Sequence, residues 1–143
     1  MNVKYAIVVG RFYEDLADRL VAGATGVFEA AGADTVDVFD VPGAFELPLA
    51  ALMVAQTGEY EGIACLGAVI RGETSHYDHV CNEAARGIQE VALRTGVPCG
   101  FGVLTVENME QAMARSGGDK RSEGADAAEA VLALVRLRAQ LAG

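Results

Sequence analysis

Apolar and polar positions repeat along this chain with two different periods. Four short runs are rich in valine, isoleucine and other strand-forming residues, which is typical of buried β-strands. Between them, longer segments repeat apolar residues at helical spacing and often end near a glycine. The predicted strands span residues 5–9, 35–41, 63–70 and 98–106, and the predicted helices span 15–31, 45–56, 78–94, 109–115 and 125–141.

Strands that alternate with helices predict βαβ units and a parallel sheet covered on both faces. We therefore expect an α/β fold, a three-layer αβα sandwich with a doubly wound, four-stranded parallel sheet of the flavodoxin-like type. The stretch 116–124 is polar and glycine-rich and predicts a loop. With no internal repeat, residues 1–143 are predicted to form a single domain.

Composition narrows the function classes. Hydrophobic residues make up 52% of the chain, enough for a substantial core, and the formal net charge of −9 argues against nucleic acid as a partner. Neither the apolar stretch around 47–55 nor the short run that ends at Gly10 is long enough for a membrane span or a signal-peptide core. Cys65, Cys81 and Cys99 form no CxxC pair, so we expect a reduced, cytoplasmic protein without a disulfide framework or zinc site.

Polar residues gather in the loops that follow the predicted strands. Ligands of open parallel sheets bind beyond the carboxyl ends of the strands, where the loops 10–13, 41–46, 71–78 and 105–108 are expected to meet. The loop 71–78 is the richest, because it combines glycine, hydroxyl groups and the start of a helix, a combination that favours a phosphate. Alternatively, Ser75 and Asp78 only cap that helix.

Both histidines of the chain lie at the start of the third helix. His76 is the better candidate for proton transfer near neutral pH, since it ends the loop, whereas His79 lies one turn inside the helix. With Asp78 the pair resembles part of a metal site, but no further ligand follows at a usual distance. A purely structural role at the helix start remains the alternative for each histidine.

Three further kinds of side chain are candidates for ligand contacts. Glu46 either complements a helix dipole or accepts hydrogen bonds from a polyol. Phe12 and Phe101 lie at or near strand ends, where they either stack on a planar ring or pack in the core. Arg115 ends a short helix beside the glycine-rich loop, where a solvated surface role is the alternative. No GxGxxG motif or P-loop follows any strand, which disfavours dinucleotides and nucleoside triphosphates.

Taken together, these loops resemble those of the lumazine synthase family. The most specific stretch is GAVIRGETSHYD at 67–78, continued by CNEAA at 81–85, and the segments GRF, VPGAFE and LTVEN occur in the right order and spacing. The resemblance runs from about Val8 to the last helix. It implies an enzyme, a transferase that condenses 5-amino-6-(D-ribitylamino)uracil with 3,4-dihydroxy-2-butanone 4-phosphate to 6,7-dimethyl-8-ribityllumazine in riboflavin biosynthesis. No metal or organic cofactor is implied.

The resemblance also implies roles for individual residues. His76 corresponds to the proton-transfer residue of the family. Contacts to the pyrimidine and its ribityl chain are implied for Phe12, Ala44, Phe45, Glu46, Ala68, Val69, Ile70 and Phe101, the last from a neighbouring subunit. Contacts to the phosphate are implied for Glu73, through its backbone, and for Thr74 and Arg115.

Some positions depart from the family pattern. Tyr13 stands where many members have asparagine, and Glu123 where many have lysine, which removes a positive charge near the phosphate. The family forms pentamers and, in some members, icosahedral shells; the short amino-terminal segment favours a bare pentamer here. Riboflavin synthase is the implied pathway neighbour. Two alternatives stay open, a non-catalytic homologue that binds a flavin and a shell or scaffold protein whose function is assembly.

Overall fold

The strands form one parallel sheet in the order β2-β1-β3-β4. The computed structural model describes residues 2–72, 76–118 and 121–143. The strands are β1 Lys4–Gly10, β2 Thr35–Val41, β3 Gly62–Ile70 and β4 Cys99–Val106, and the helices are α1 Glu14–Ala30, α2 Leu47–Gln56, α3 His76–Thr95, α4 Met109–Arg115 and α5 Glu123–Leu141. A 3₁₀ turn at Ala44–Glu46 precedes α2. The predicted α/β class and sheet are confirmed.

Two apolar clusters cover the two faces of the sheet. On one face, Leu20 and Phe28 of α1 and Val131 of α5 pack against strand residues of β1, β3 and β4. On the other, Leu47 of α2 and Ile88 of α3 pack against the alternate residues of the same strands. Because side chains of a strand point to opposite faces in turn, both faces of the central strands are apolar. This arrangement confirms the predicted three layers.

On the α1–α5 face, the backbone of α5 lies in direct contact with the backbones of α1 and β4. A Cβ atom on Gly124 would collide with the carbonyl group of Leu20, and one on Gly100 would collide with the carbonyl group of Ala127. Only glycine at these positions lets α5 lie this close to α1 and β4. No helix among the described residues is long and apolar enough to cross a membrane.

Two element boundaries differ from the prediction in ways that matter for the site. The third helix begins at His76, two residues earlier than predicted, so this histidine is its first described residue. The second predicted helix is divided, because residues 44–46 form a tighter 3₁₀ turn before Pro48 in the first turn of α2. A proline is well placed in a first turn, where its missing N–H has no intrahelical acceptor.

Candidate active site

A cavity of about 620 Å³ opens at the carboxyl ends of β1 and β3. The chain passes from β2 on one side of β1 to β3 on the other, so the cavity lies at the point where the strand order reverses. Open parallel sheets bind ligands at this position. The lining consists of Phe12, Tyr13, Pro42, Gly43, Ala44, Phe45, Glu46, Ala68, Val69, Ile70, Gly72, His76, Tyr77, His79 and Val80.

The turn after β1 lies directly against the turn after β2. A Cβ atom on Gly10 would stand 2.8 Å from the carbonyl carbon of Gly43, so glycine is required for this close approach. The backbone N–H of Arg11 donates to the carbonyl oxygen of Val41 over 2.9 Å. The contact leaves Phe12 at the cavity with 75% of its surface exposed.

The side chain of Arg11 fixes the same turn from outside the cavity. Its guanidinium donates from Nε to Asp40 Oδ1 over 2.6 Å and from a terminal nitrogen to Asp18 Oδ1 over 2.7 Å. These hydrogen bonds to Asp40 and Asp18 raise the pKa of Arg11 above its ordinary value. Arg11 therefore ties the ends of β1 and β2 to α1, and Phe12 follows it directly.

The end of β3 offers unpaired backbone groups to the cavity. In the described sheet, pairing between β1 and β3 ends at Val9 and Leu66, whereas pairing of β3 with β4 continues to Ile70. Ala68 and Val69 therefore have no ladder partner on the β1 side, where the cavity lies. Such N–H and C=O groups are ready to bind the edge of a planar heterocycle.

Glu46 closes the 3₁₀ turn on the other wall of the cavity. Its Oε1 accepts a hydrogen bond from the backbone N–H of Gly43 over 2.9 Å. A carboxylate has lone pairs for further donors, so this local bond and a ligand hydroxyl are compatible. Beside it, Phe45 is 60% exposed and lines the cavity, while Ala44 is buried.

The first turn of α3 supplies both histidines to the cavity. His76 and His79 are exposed and three residues apart, so they lie on one face of the helix. Tyr77 and Val80 of the same turn are buried and pack with the α2–α3 cluster. The buried pair anchors the turn and leaves two imidazoles at the cavity wall.

Arg71 anchors the start of α3 to the end of β4. Its Nε donates to Glu107 Oε2 over 2.9 Å, and its guanidinium lies 4.2 Å from the ring centre of Tyr77. A terminal nitrogen stands 3.7 Å from Asp78 Oδ1, and the backbone N–H donates to the carbonyl oxygen of Val106. Hydrogen bonding to Glu107 raises the pKa of Arg71. This cation therefore ties the end of β3 and the first turn of α3 to the end of β4.

Comparisons with known proteins agree with one another. The family model described as 6,7-dimethyl-8-ribityllumazine synthase matches residues 2–139. Two proteins of that name, from Nitratidesulfovibrio vulgaris strains DP4 and Hildenborough, are each 48% identical over 142 residues, which cover 98% of this chain and 91% of the relatives. The chain belongs to the 6,7-dimethyl-8-ribityllumazine synthase family.

Eight of the residues that the resemblance to lumazine synthases implied line this one cavity. They are Phe12, Ala44, Phe45, Glu46, Ala68, Val69, Ile70 and His76. Glu73 and Thr74, implied as phosphate contacts, and Ser75 of the alternative capping pair lie outside the described residues. Among the described residues, no three His, Cys, Asp or Glu side chains are grouped so that they hold a metal ion.

Phe101 does not line the cavity of its own chain. It is the third residue of β4 and is paired with Cys65, so it lies near the amino end of the strand and away from the ligand-binding rim. Phe101 does lie near a strand end, as predicted, but at the end of β4 that points away from the cavity, and its contact with the ring of a neighbouring subunit's ligand stays a prediction. β4 is an edge strand, and Phe101 is 43% exposed there.

Arg115, the other lumazine synthase candidate outside the cavity, belongs to the opposite face of the sheet. It ends α4, whose Ala112 packs with the α1–α5 cluster. The half-buried guanidinium of Arg115 makes no side-chain hydrogen bond or ion pair with the other described residues. Burial raises the pKa of nearby Glu123, while the charges of Arg121 and Arg115 lower it.

Sequence reasoning missed one polar residue of the lining. His79 was ranked below His76 because it was predicted to lie one turn inside the helix; it does lie there, yet it lines the cavity together with His76. Their spacing of three residues was the available signal, since it places both on one helical face. The other additional residues of the lining belong mostly to the loops that were predicted to meet; they are Tyr13, Pro42, Gly43, Gly72, Tyr77 and Val80.

Proposed function

We propose that this cavity catalyses the condensation of 5-amino-6-(D-ribitylamino)uracil with 3,4-dihydroxy-2-butanone 4-phosphate to 6,7-dimethyl-8-ribityllumazine, the penultimate step of riboflavin biosynthesis. Membership of the family over residues 2–139 carries the proposal. The cavity supports it, because an aromatic side chain, an unpaired strand edge, a carboxylate and a histidine converge there. These groups match a substrate that has a flat ring to stack, a polyol chain to hydrogen-bond and an amine whose reaction moves protons.

The pyrimidine lies in this proposal between Phe12 and the end of β3. The exposed ring of Phe12 stacks on the heterocycle, since offset stacking of aromatic faces is favourable. The unpaired backbone groups of Ala68, Val69 and Ile70 bind its polar edge. Ala44, Phe45 and Glu46 line the neighbouring wall, where Glu46 accepts hydrogen bonds from the ribityl hydroxyls.

His76 moves protons during the reaction. The substrate amine attacks the ketone, and loss of water gives an imine; phosphate is then eliminated, and ring closure releases a second water. Each of these steps transfers protons near neutral pH, the range in which a histidine both donates and accepts. Holding two substrates in register supplies much of the remaining rate, because it replaces a bimolecular encounter by a reaction within one complex.

A neighbouring subunit completes the site. Phe101 and Arg115 lie outside the cavity of their own chain, so we assign them to the cavity of an adjacent copy, where Phe101 covers the ring and Arg115 binds the phosphate together with Glu73 and Thr74. Contacts of this head-to-tail kind close into a ring when the rotation from one copy to the next divides a full turn. We propose a homopentamer rather than an icosahedral shell, and a cytoplasmic location, in keeping with three free cysteines.

A product assay tests this function. The purified protein is mixed with both substrates, and lumazine fluorescence is followed over time against a mixture without protein. We expect saturable product formation that depends on both substrates. A protein that only binds a flavin, or whose function is only assembly, would leave the fluorescence at the level of the mixture without protein and would refute the proposal. Light scattering on the same sample measures the size of the assembly.

A further inference from the structure

A second arginine of α1 binds the loop that follows α4. Arg19 donates from Nε to Ser116 Oγ over 2.8 Å, and from a terminal nitrogen to the carbonyl oxygens of Met113 and Gly117 over 3.1 and 3.0 Å. These partners are 94 to 98 residues away along the chain. A single guanidinium therefore ties the end of α4 and the start of the loop to α1.

The three residues that accept from Arg19 flank Arg115 along the chain. Met113 lies two residues before it, and Ser116 and Gly117 follow it directly, so the backbone of Arg115 is held on both sides. The proposed phosphate-binding residue is thereby attached at two points to a helix of the core.

Ser116 is the centre of this attachment. Its side chain is fully buried, accepts from Arg19 and donates to the carbonyl oxygen of Met113 over 3.2 Å. Its backbone forms an antiparallel bridge with Ser122, whose Oγ caps α5 by accepting from the N–H of Ala125. Ser116 and Ser122 are therefore held together, and the guanidinium of Arg19 binds at this bridge.

Arg19 and Arg115 differ in what their guanidiniums bind. Arg19 has three protein acceptors, whereas Arg115 has no side-chain partner within the described part of the chain. A half-buried guanidinium that has no hydrogen-bond or ion-pair partner among the described residues is suited to an anion. An arginine that is fully engaged with carbonyl and hydroxyl oxygens is suited to hold another group in place.

We propose that Arg19 is a positioning residue that orients Arg115 toward the phosphate of the sugar-phosphate substrate. The inference rests on the proposed function, in which Arg115 binds that phosphate. The fork of the guanidinium reaches three acceptors at once, which the single ammonium group of lysine does not reproduce. Arg19 itself does not touch the substrate.

Substitutions of Arg19 are tested by the Michaelis constants of the two substrates. We expect Arg19→Ala to raise KM for the sugar phosphate by about tenfold and to change KM for the pyrimidine less than about twofold, because a displaced Arg115 loses contact with only one substrate. Arg19→Lys retains the charge but loses the fork, so we expect KM for the sugar phosphate to rise about threefold. Thermal melting establishes that each variant is folded.

Arg19→Lys keeps the positive charge and removes only the forked hydrogen bonds, so it distinguishes an effect of geometry from an effect of charge. It also provides the test if Arg19→Ala does not fold. A KM for the sugar phosphate equal to the wild-type value in Arg19→Lys would overturn the proposal, since charge alone would then suffice. Arg11→Lys is the matched control, because Arg11 is likewise multiply bonded but holds the turn of Phe12. We expect it to raise KM for the pyrimidine; the same pattern as Arg19→Lys would mean general loosening and would also overturn the proposal.

Arg115→Ala distinguishes failure of this inference from failure of the proposed function. If Arg115→Ala leaves KM for the sugar phosphate unchanged, the phosphate role of Arg115 is wrong and the positioning role falls with it. If Arg115→Ala raises this KM but neither Arg19 variant does, Arg115 keeps its role and only the positioning by Arg19 is wrong.

Discussion

The α2–α3 face and the α1–α5 face of the sheet differ in how closely their helices pack at the edge where the strands end. On the first, the helices leave the rim open, and Phe12, His76 and Glu46 line a cavity. On the second, glycines let α5 approach α1 and β4 closely, and the charged groups collect at one corner, around Arg115 and Glu123. In our proposal the open face takes the flat ring and the reacting amine, and the corner takes the phosphate of the other substrate.

This separation explains why one copy of the chain is insufficient in our proposal. A site that needs both the histidine and the phosphate-binding arginine has to take them from opposite faces of the sheet. We propose that two copies placed head to tail bring the open face of one against the β4 edge and the corner of the next. Substitutions on each face show whether the two faces contribute separately to turnover and to phosphate binding.

Loss of the histidine on the open face should have the largest effect. We expect His76→Ala to lower kcat by about a hundredfold, because proton transfer by a positioned group contributes about this much. Steady-state kinetics with both substrates saturating measures the change. His79→Ala, which removes the other imidazole of the cavity, is the control and should have a much smaller effect. Unchanged kcat in His76→Ala would remove this residue from the proposed reaction.

Loss of the arginine at the corner should change binding instead. We expect Arg115→Ala to raise KM for the sugar phosphate by about ten- to a hundredfold, since a hydrogen bond to a charged group contributes roughly 1.5–3 kcal/mol. KM for the pyrimidine should stay within about twofold. Titrations of each substrate separately provide the check, and equal weakening of both would contradict the division between the faces.

Mixed assemblies test whether the two faces act in one site. We expect His76→Ala and Arg115→Ala subunits, unfolded and refolded together at equal amounts, to recover about a quarter of the wild-type activity, because a quarter of head-to-tail contacts then pair two intact halves. The assay uses a sugar-phosphate concentration at which each variant alone is nearly inactive. Activity no higher than that of the separately refolded variants would mean that one chain supplies both residues.

The aromatic wall of the open face should contribute less. We expect Phe12→Ala to raise KM for the pyrimidine by about two- to tenfold, since a stacked aromatic pair contributes about 0.5–1.5 kcal/mol. Phe12→Leu, which keeps an apolar side chain, separates stacking from simple burial. If both variants bind the pyrimidine as tightly as the wild type does, Phe12 does not stack on it.

The two faces also show what periodicity in the sequence can predict. The pattern places β2 correctly at 35–41 and the ends of the other strands within one residue, because β-branched and aromatic residues cluster in strands at the edge of the sheet as well as in its buried centre. The loops after β1, β2 and β3 could be expected to meet, since parallel strands end at one edge. These two rules predict that Phe12, Glu46 and His76 lie together at this edge, as they do.

Periodicity does not reveal the face on which a connection crosses. Arg115 and His76 both follow strands, yet α4 packs on the α1–α5 side and α3 on the other. Nor does a short apolar run show which of its residues face solvent at a sheet edge, as Phe101 does in β4. Both facts depend on the order of strands, which is set by long-range packing.

The smallest expected effect concerns the acidic group of the corner. Burial raises the pKa of Glu123 above its ordinary value of 4.5; Arg121 and Arg115 oppose the rise, and Asp126 adds to it. The folded protein therefore keeps a proton on Glu123 at pH values where the unfolded chain has lost it. It follows that this group's contribution to stability falls as pH increases from about 4.5 through the raised pKa.

Glu123→Gln removes this dependence. The variant should gain stability over the wild type as pH rises through that window, and the difference should level off above it, reaching a few degrees at most when 1 kcal/mol corresponds to about 4 °C. Melting temperatures measured between about pH 4 and pH 8 provide the test. Glu129→Gln makes the same change of charge at an exposed position of α5 and serves as the control. A stability advantage of Glu123→Gln that grows toward low pH would contradict the assigned direction, because an acid that burial disfavours must cost most when it is ionised.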